Sequence, residues 1–258
     1  MIKRILTALV LLPLFVLLVL KAPIGIVKIV ILGVTGLCIY ELLDLFDMDV
    51  YLILLAEVVG VNAVYFLLNW QAYQLFVFYV IIALFFVPYL IRFDRERFFR
   101  EYFFVVSGLI YVVIAMYSFW NILEISRLHL LWFFSVVFAC DTGAYFSGKF
   151  LGRRPFFSEI SPKKTLEGFI GGLLLGVITG LLLNYYFKLF SVNQVINLSL
   201  AVGIVESFGD LFESAIKRVA GKKDSGKIIW GHGGILDRID GAMMAAPLFL
   251  IGIKVLGG

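Results

Sequence analysis

The residues able to do chemistry gather in four runs, all in the second half of the chain. The first is Asp141-Thr142-Gly143-Ala144-Tyr145-Phe146-Ser147-Gly148-Lys149, which continues an apolar stretch. An aspartate there is expensive in a bilayer unless it is paired or used. Gly143 to Lys149 also has P-loop spacing. Phe150 stands where a P-loop needs Ser or Thr for magnesium, so that reading fails. Gly143, Ser147 and Gly148 equally suit close helix packing. The second run is Ser161-Pro162-Lys163-Lys164-Thr165-Leu166-Glu167-Gly168. Pro162 and Thr165 suit a helix start, and cations beside helix-start amides make an anion site. An ordinary basic loop beside a membrane is the alternative.

The third run carries Glu206, Asp210 and Glu213 at i, i+4 and i+7, one face of a helix, flanked by Ser207 and Ser214. Three acids on one stripe of an apolar span call for lysine partners or a metal. The fourth run holds Ser214, Lys217-Arg218, Lys223-Asp224-Ser225-Gly226, His232-Gly233-Gly234 and Asp237-Arg238-Ile239-Asp240-Gly241. Asp237 and Asp240, three apart, can reach one point. Magnesium is held by one or two carboxylates plus substrate phosphates, and nearby Lys and Arg can neutralise those phosphates. Gly233 and Gly234 let backbone approach a ligand. Zinc is excluded, since the only histidines are His129 and His232 and no cysteine lies near either. No strained nucleophile turn supports a Ser-His-Asp hydrolase.

The elements positioning these runs are membrane helices. The 258 residues are 62% hydrophobic and 16% charged, where a soluble domain carries about a quarter charged. Mean hydropathy is +1.03. A span needs about 20 mostly apolar residues, and that ruler predicts nine helices, at 5–20, 24–40, 50–69, 72–91, 102–122, 129–148, 165–187, 195–216 and 240–256. Lys3 and Arg4 before the first span resemble a signal-peptide start, but Lys21-Ala22-Pro23 is a poor cleavage site, so the span is read as retained. With a cytoplasmic N-terminus, 17 of the 22 Lys and Arg fall on the inside, including Arg92, Arg95, Arg97 and Arg100. Glu41 to Asp49 reads as an acidic inside loop. Residues 1–127 read as five lipid-facing helices, and residues 128–258 as a catalytic membrane region with cytoplasmic loops. Cys38 and Cys140 sit in apolar runs and predict no disulfide. The net charge of +4 suits anionic headgroups and is too small and dispersed for nucleic acid. From the residues alone two functions stand: phosphoryl or nucleotidyl transfer to a lipid, and an ion or phosphate transporter with midplane acids.

The fourth run, with Asp141 to Tyr145, Ser161 to Gly168 and Gly209-Asp210-Leu211-Phe212-Glu213-Ser214, closely resembles the signature of phosphatidate cytidylyltransferases, also called CDP-diacylglycerol synthases, over about residues 139–241. Trp230 departs from a pattern that usually has proline shortly before the histidine. The resemblance implies an all-α polytopic enzyme of the inner (plasma) membrane with its active site facing the cytoplasm. It implies the conversion of CTP and phosphatidic acid to CDP-diacylglycerol and pyrophosphate. It also implies a homodimer that uses Mg2+ and admits a second cation such as K+. Asp210, Asp237 and Asp240 would be the metal ligands and, with Lys164, the catalytic set, with Asp141 next. Lys163, Lys164, Lys223 and Arg238 would grip phosphates; Thr165, Ser214, Lys217, Arg218, Asp224 and His232 would complete the substrate site. A CTP-dependent polyprenol or phytol kinase, from a related membrane group, is the alternative within enzymes.

Overall fold

The computed structural model describes residues 2–47, 103–228 and 233–256. The expected spans at 50–69 and 72–91, the four arginines after them, Trp230 and His232 lie outside the described residues. Among the described residues there are seven helices and no named strand: α1 (Ile2–Lys21), α2 (Ile24–Leu45), α3 (Phe103–Ile125), α4 (Arg127–Leu151), α5 (Leu166–Phe187), α6 (Val192–Val219) and α7 (Leu236–Leu256). The six from α2 to α7 are long and apolar enough to cross a bilayer.

The largest departures from the sequence reading fall at two boundaries. Helix α2 runs on to Leu45, so Glu41 and Asp44 are helical rather than in a loop. Helix α7 starts at Leu236, so Asp237 and Asp240 occupy its first turns. A hydropathy ruler stops at the first acids, whereas a helix continues while its backbone bonds close and its polar side chains find partners.

The chain packs as two compact units, neither contiguous in sequence. The first comprises residues 1–12, 22–120 and 216–239, the second residues 13–21, 121–215 and 240–258. In the first, Gly108 of α3 lies under Leu42 of α2; a Cβ there would sit 2.7 Å from a Leu42 methyl. The Lys28 ammonium stands 4.6 Å from the centre of the Trp120 ring, a cation–π contact. Helix α6 ends in this unit on a glycine cap. Lys222 N–H donates to Lys217 C=O at 2.9 Å and Gly221 N–H to Arg218 C=O at 3.1 Å. Gly221 supplies the left-handed φ of +68° that this pair of bonds requires.

In the second unit α4 and α5 pack along a seam of glycines. Gly168, Gly172, Gly176 and Gly180 recur every fourth residue and are the buried face of α5, so they form one stripe. A Cβ on Gly172 would sit 2.8 Å from the Cys140 carbonyl oxygen, and one on Gly143 would sit 2.7 Å from that of Gly171. Such small-residue seams let membrane helices approach closely. At one end of the seam the Trp132 indole N–H donates to Gly180 C=O at 3.0 Å, and its ring stacks on Phe249 of α7.

Candidate active site

In the second unit, the loop from Gly152 to Thr165 folds back on itself. Phe156 N–H donates to Lys164 C=O and Leu166 N–H to Arg154 C=O, both at 2.9 Å. The Glu167 carboxylate, in the first turn of α5, accepts N–H bonds from Arg153 and Arg154 at 3.0 and 3.1 Å. Thr165 is the N-cap: its hydroxyl accepts from Gly168 N–H at 3.1 Å. That closure leaves Lys163 exposed and turns Lys164 onto α6. The Lys164 ammonium meets Asp210 at 2.8 Å and donates to the Ser207 carbonyl at 3.1 Å. Ser214, one turn on from Asp210, donates to its other oxygen at 3.4 Å.

Around this ion pair stand further acids. Glu206, 4% exposed, shares a hydrogen bond with Asp141 of α4 and accepts one from Ser207 at 3.2 Å. Asp240 stands within electrostatic reach of Asp210, Glu213 and Asp141, and Glu213 is 1% exposed. Glycines bring α6 and α7 together here. A Cβ on Gly209 would sit 3.0 Å from the Asp240 carbonyl oxygen, and one on Gly241 would sit 2.7 Å from Glu206 Cγ. The expected helical stripe Glu206–Asp210–Glu213 is therefore real, and Asp141, Lys164, Ser214 and Asp240 gather around it.

The first unit holds the other expected residues. Lys217 Nζ meets Asp237 Oδ1 at 2.7 Å, with only 12% and 5% of the side chains exposed. Asp237 Oδ2 accepts N–H bonds from Ser225 at 2.9 Å and Gly234 at 2.8 Å. Arg218, Lys223, Asp224 and Arg238 are exposed. Gly233, at φ +86°, adopts the conformation that glycine permits; a Cβ there would sit 2.6 Å from Asp237 Oδ2.

One acid was missed in reading the sequence: Glu41 of α2 accepts bonds from Ser225, Ile235 and Leu236. Glu41 had a signal, since an acid in the last turns of an apolar helix is costly unless held.

Among the described residues, no three His, Cys, Asp or Glu side chains stand close enough together to hold a metal ion. The donor chemistry nevertheless fits a hard cation. Carboxylate oxygens crowd beside one another in the second unit, and oxygen is the donor that magnesium takes.

Comparison with known proteins gives a consistent result. Phosphatidate cytidylyltransferases of Staphylococcus aureus (strain COL) and Staphylococcus haemolyticus (strain JCSC1435) are 39% and 38% identical to the chain over 161 residues. That of Staphylococcus epidermidis (strain ATCC 12228 / FDA PCI 1200) is 36% identical over 160 residues. Each alignment covers 61% of this chain and 62% of the relative, so the matched stretch spans less than two thirds of those proteins. The family model of the cytidylyltransferases is matched over nearly the whole chain, and the chain belongs to the cytidylyltransferase family, from residue 2 to residue 256.

Proposed function

We propose that this protein transfers the cytidylyl group of CTP to phosphatidic acid, giving CDP-diacylglycerol and pyrophosphate. The observation that carries the reading is Lys164 paired with Asp210 amid Asp141, Glu206 and Asp240, in a membrane-spanning member of a cytidylyltransferase family. The names of its staphylococcal relatives supply the lipid substrate.

A phosphate oxygen of the lipid attacks the α-phosphorus of CTP, and the α–β phosphoanhydride bond breaks to release pyrophosphate. The attacking group is already an anion, so no enzyme nucleophile is needed. The protein's task is to hold two anions together and offset their repulsion. The resemblance gives this work to the cations Lys164, Lys163, Lys223 and Arg238, and names Thr165, Ser214, Lys217, Arg218, Asp224 and His232 as further substrate-binding residues. The resemblance assigns Mg2+ to Asp210, Asp237 and Asp240, with Asp141 next, and K+ would be the second cation. A bound divalent cation would neutralise phosphate charge. Lys164 is positioned to exchange its contact with Asp210 for a substrate phosphate.

The deciding assay uses CTP and phosphatidic acid with detergent-solubilised protein. Label from the α-phosphate entering lipid supports the reading. Label from the γ-phosphate entering lipid means a kinase, and no lipid label at all refutes transfer.

The orientation belongs to the same proposal: nine spans, a cytoplasmic N-terminus, a homodimer in the inner (plasma) membrane and a site facing the cytoplasm. The exposed residues Ser158 and Lys227, replaced by cysteine, should resist an impermeant thiol reagent in sealed cells. Ready labelling from outside would reverse the orientation.

A further inference from the structure

We infer that Glu41, on α2, is a positioning residue for this reaction: it staples together the two ends of the segment from Ser225 to Leu236. The inference rests on the cytidylyltransferase reading for the use of that segment, but its geometry stands apart. Glu41 is 1% exposed and both carboxyl oxygens accept. Oε1 takes Ile235 N–H at 2.9 Å, and Oε2 takes the Ser225 hydroxyl at 3.0 Å and Leu236 N–H at 2.9 Å.

The first N–H groups of a helix have no partner within it. A side chain just before the helix ordinarily supplies one. Here Ile235 stands just before α7, with Gly233 and Gly234 ahead of it, and none of the three has a side chain that can accept. Asp237 reaches back to Gly234 N–H, and Glu41 takes the next two N–H groups from nearly two hundred residues away in sequence. Glycines make the room for this. A Cβ on Gly226 would sit 2.7 Å from Glu41 Oε1, and one on Gly234 would overlap Glu41 Oε2.

Ser225 is held twice, its N–H by Asp237 and its hydroxyl by Glu41. Two carboxylates thus tie Ser225 to the start of α7, and Lys223, Asp224 and Arg238 flank those bonds in sequence. Residues proposed to grip CTP neighbour that tie, and Glu41 itself need touch no substrate.

The test is Glu41→Gln in the full-length protein. A carboxamide has one accepting oxygen, so it cannot satisfy Ile235 and Leu236 together with Ser225. Amide hydrogen exchange across 225–236 should quicken. The KM for CTP should rise roughly tenfold, the loss expected for a hydrogen bond to a charged group, with kcat within about threefold of the parent. Ser225→Ala removes one of the three bonds and leaves the buried carboxyl in place. It should give the same pattern with about a threefold rise in KM, and it keeps the test open if the Gln variant does not fold. Parent-like exchange in both variants overturns the staple. A lowered melting temperature with an unchanged KM makes Glu41 merely structural and overturns the positioning role. If the parent shows no cytidylyl transfer, the functional reading has failed, and the exchange measurement still decides the staple.

Discussion

In the first unit, Glu41 and Asp237 each accept three hydrogen bonds, from backbone N–H groups, the Ser225 hydroxyl and the Lys217 ammonium. In the second, acids meet acids: Glu206 bonds Asp141, and Asp240 feels Asp210, Glu213 and Asp141. Carboxylates met by donors act as struts and tie Ser225 to the start of α7. The hydrogen bond between Glu206 and Asp141 needs a proton on one of them, whereas two ionised carboxylates 4 Å apart keep a repulsion of about 4 kcal/mol at intermediate dielectric. A cation or a cationic side chain relieves it, and Lys164 does so at Asp210. One set of acids ties backbone together, and the other is the set proposed for the reaction.

The sharpest break in that contrast is Asp210→Asn. It keeps the size and removes the charge that faces Lys164 and that would hold magnesium. Activity should fall about a thousandfold or more, since members of a catalytic unit fail together. Asp240→Asn should behave alike, and the double variant should be barely worse than either single one. Measured with α-labelled CTP, substantial activity in Asp210→Asn would end its metal-binding role.

Asp237→Asn tests the other side. The new amide must face either the Lys217 ammonium or both backbone N–H groups, so a charge-assisted contact worth about 1.5–3 kcal/mol is lost. If Asp237 is a strut as well as a ligand, the melting temperature in detergent should fall along with activity, whereas Asp210→Asn should melt near the parent. Equal melting of the two variants would erase the distinction between the units.

Lys164→Ala should reduce kcat/KM for CTP roughly ten- to a hundredfold, the range for a lost charge-assisted contact, and it leaves Asp210 facing other acids. Added magnesium should recover part of the loss if the acids then bind the cation in place of the ammonium. No magnesium dependence of the defect would assign Lys164 to phosphate alone.

Much of this arrangement was legible in the sequence. Apolar length located the seven described helices, because a bilayer sets that length directly. Periodicity put Glu206, Asp210 and Glu213 on one face, and Thr165 was read correctly as a helix start. What escaped depends on contacts between residues distant in sequence. Glu41 looked like part of a loop, because nothing local reveals that its partners lie at 225–236. Lys164 looked like a free phosphate ligand, because its spacing from Asp210 follows from the loop's fold and from no motif. Asp237 looked like a metal ligand and nothing more, although its bonds to Lys217, Ser225 and Gly234 build the loop it belongs to.

The smallest effect is expected next door to one of the largest. Lys163 and Lys164 are adjacent, of one type and of one motif, and the sequence offers no reason to separate them. The folded-back loop does: Lys164 is turned onto α6, where its side chain is 24% exposed and paired with Asp210, while Lys163 faces solvent. A solvent-exposed ammonium is screened by water and salt, and exposed ion pairs contribute at most about 1 kcal/mol. Lys163→Ala should therefore raise the KM for CTP or phosphatidic acid only about threefold. That rise should shrink further as salt is increased, because what is lost is long-range attraction rather than a fixed contact. The Lys164→Ala defect should persist at the same salt. A Lys163 defect as deep and as salt-resistant as that of Lys164 would mean that both lysines reach bound phosphate, and that this loop opens from the closed form seen here when substrate arrives.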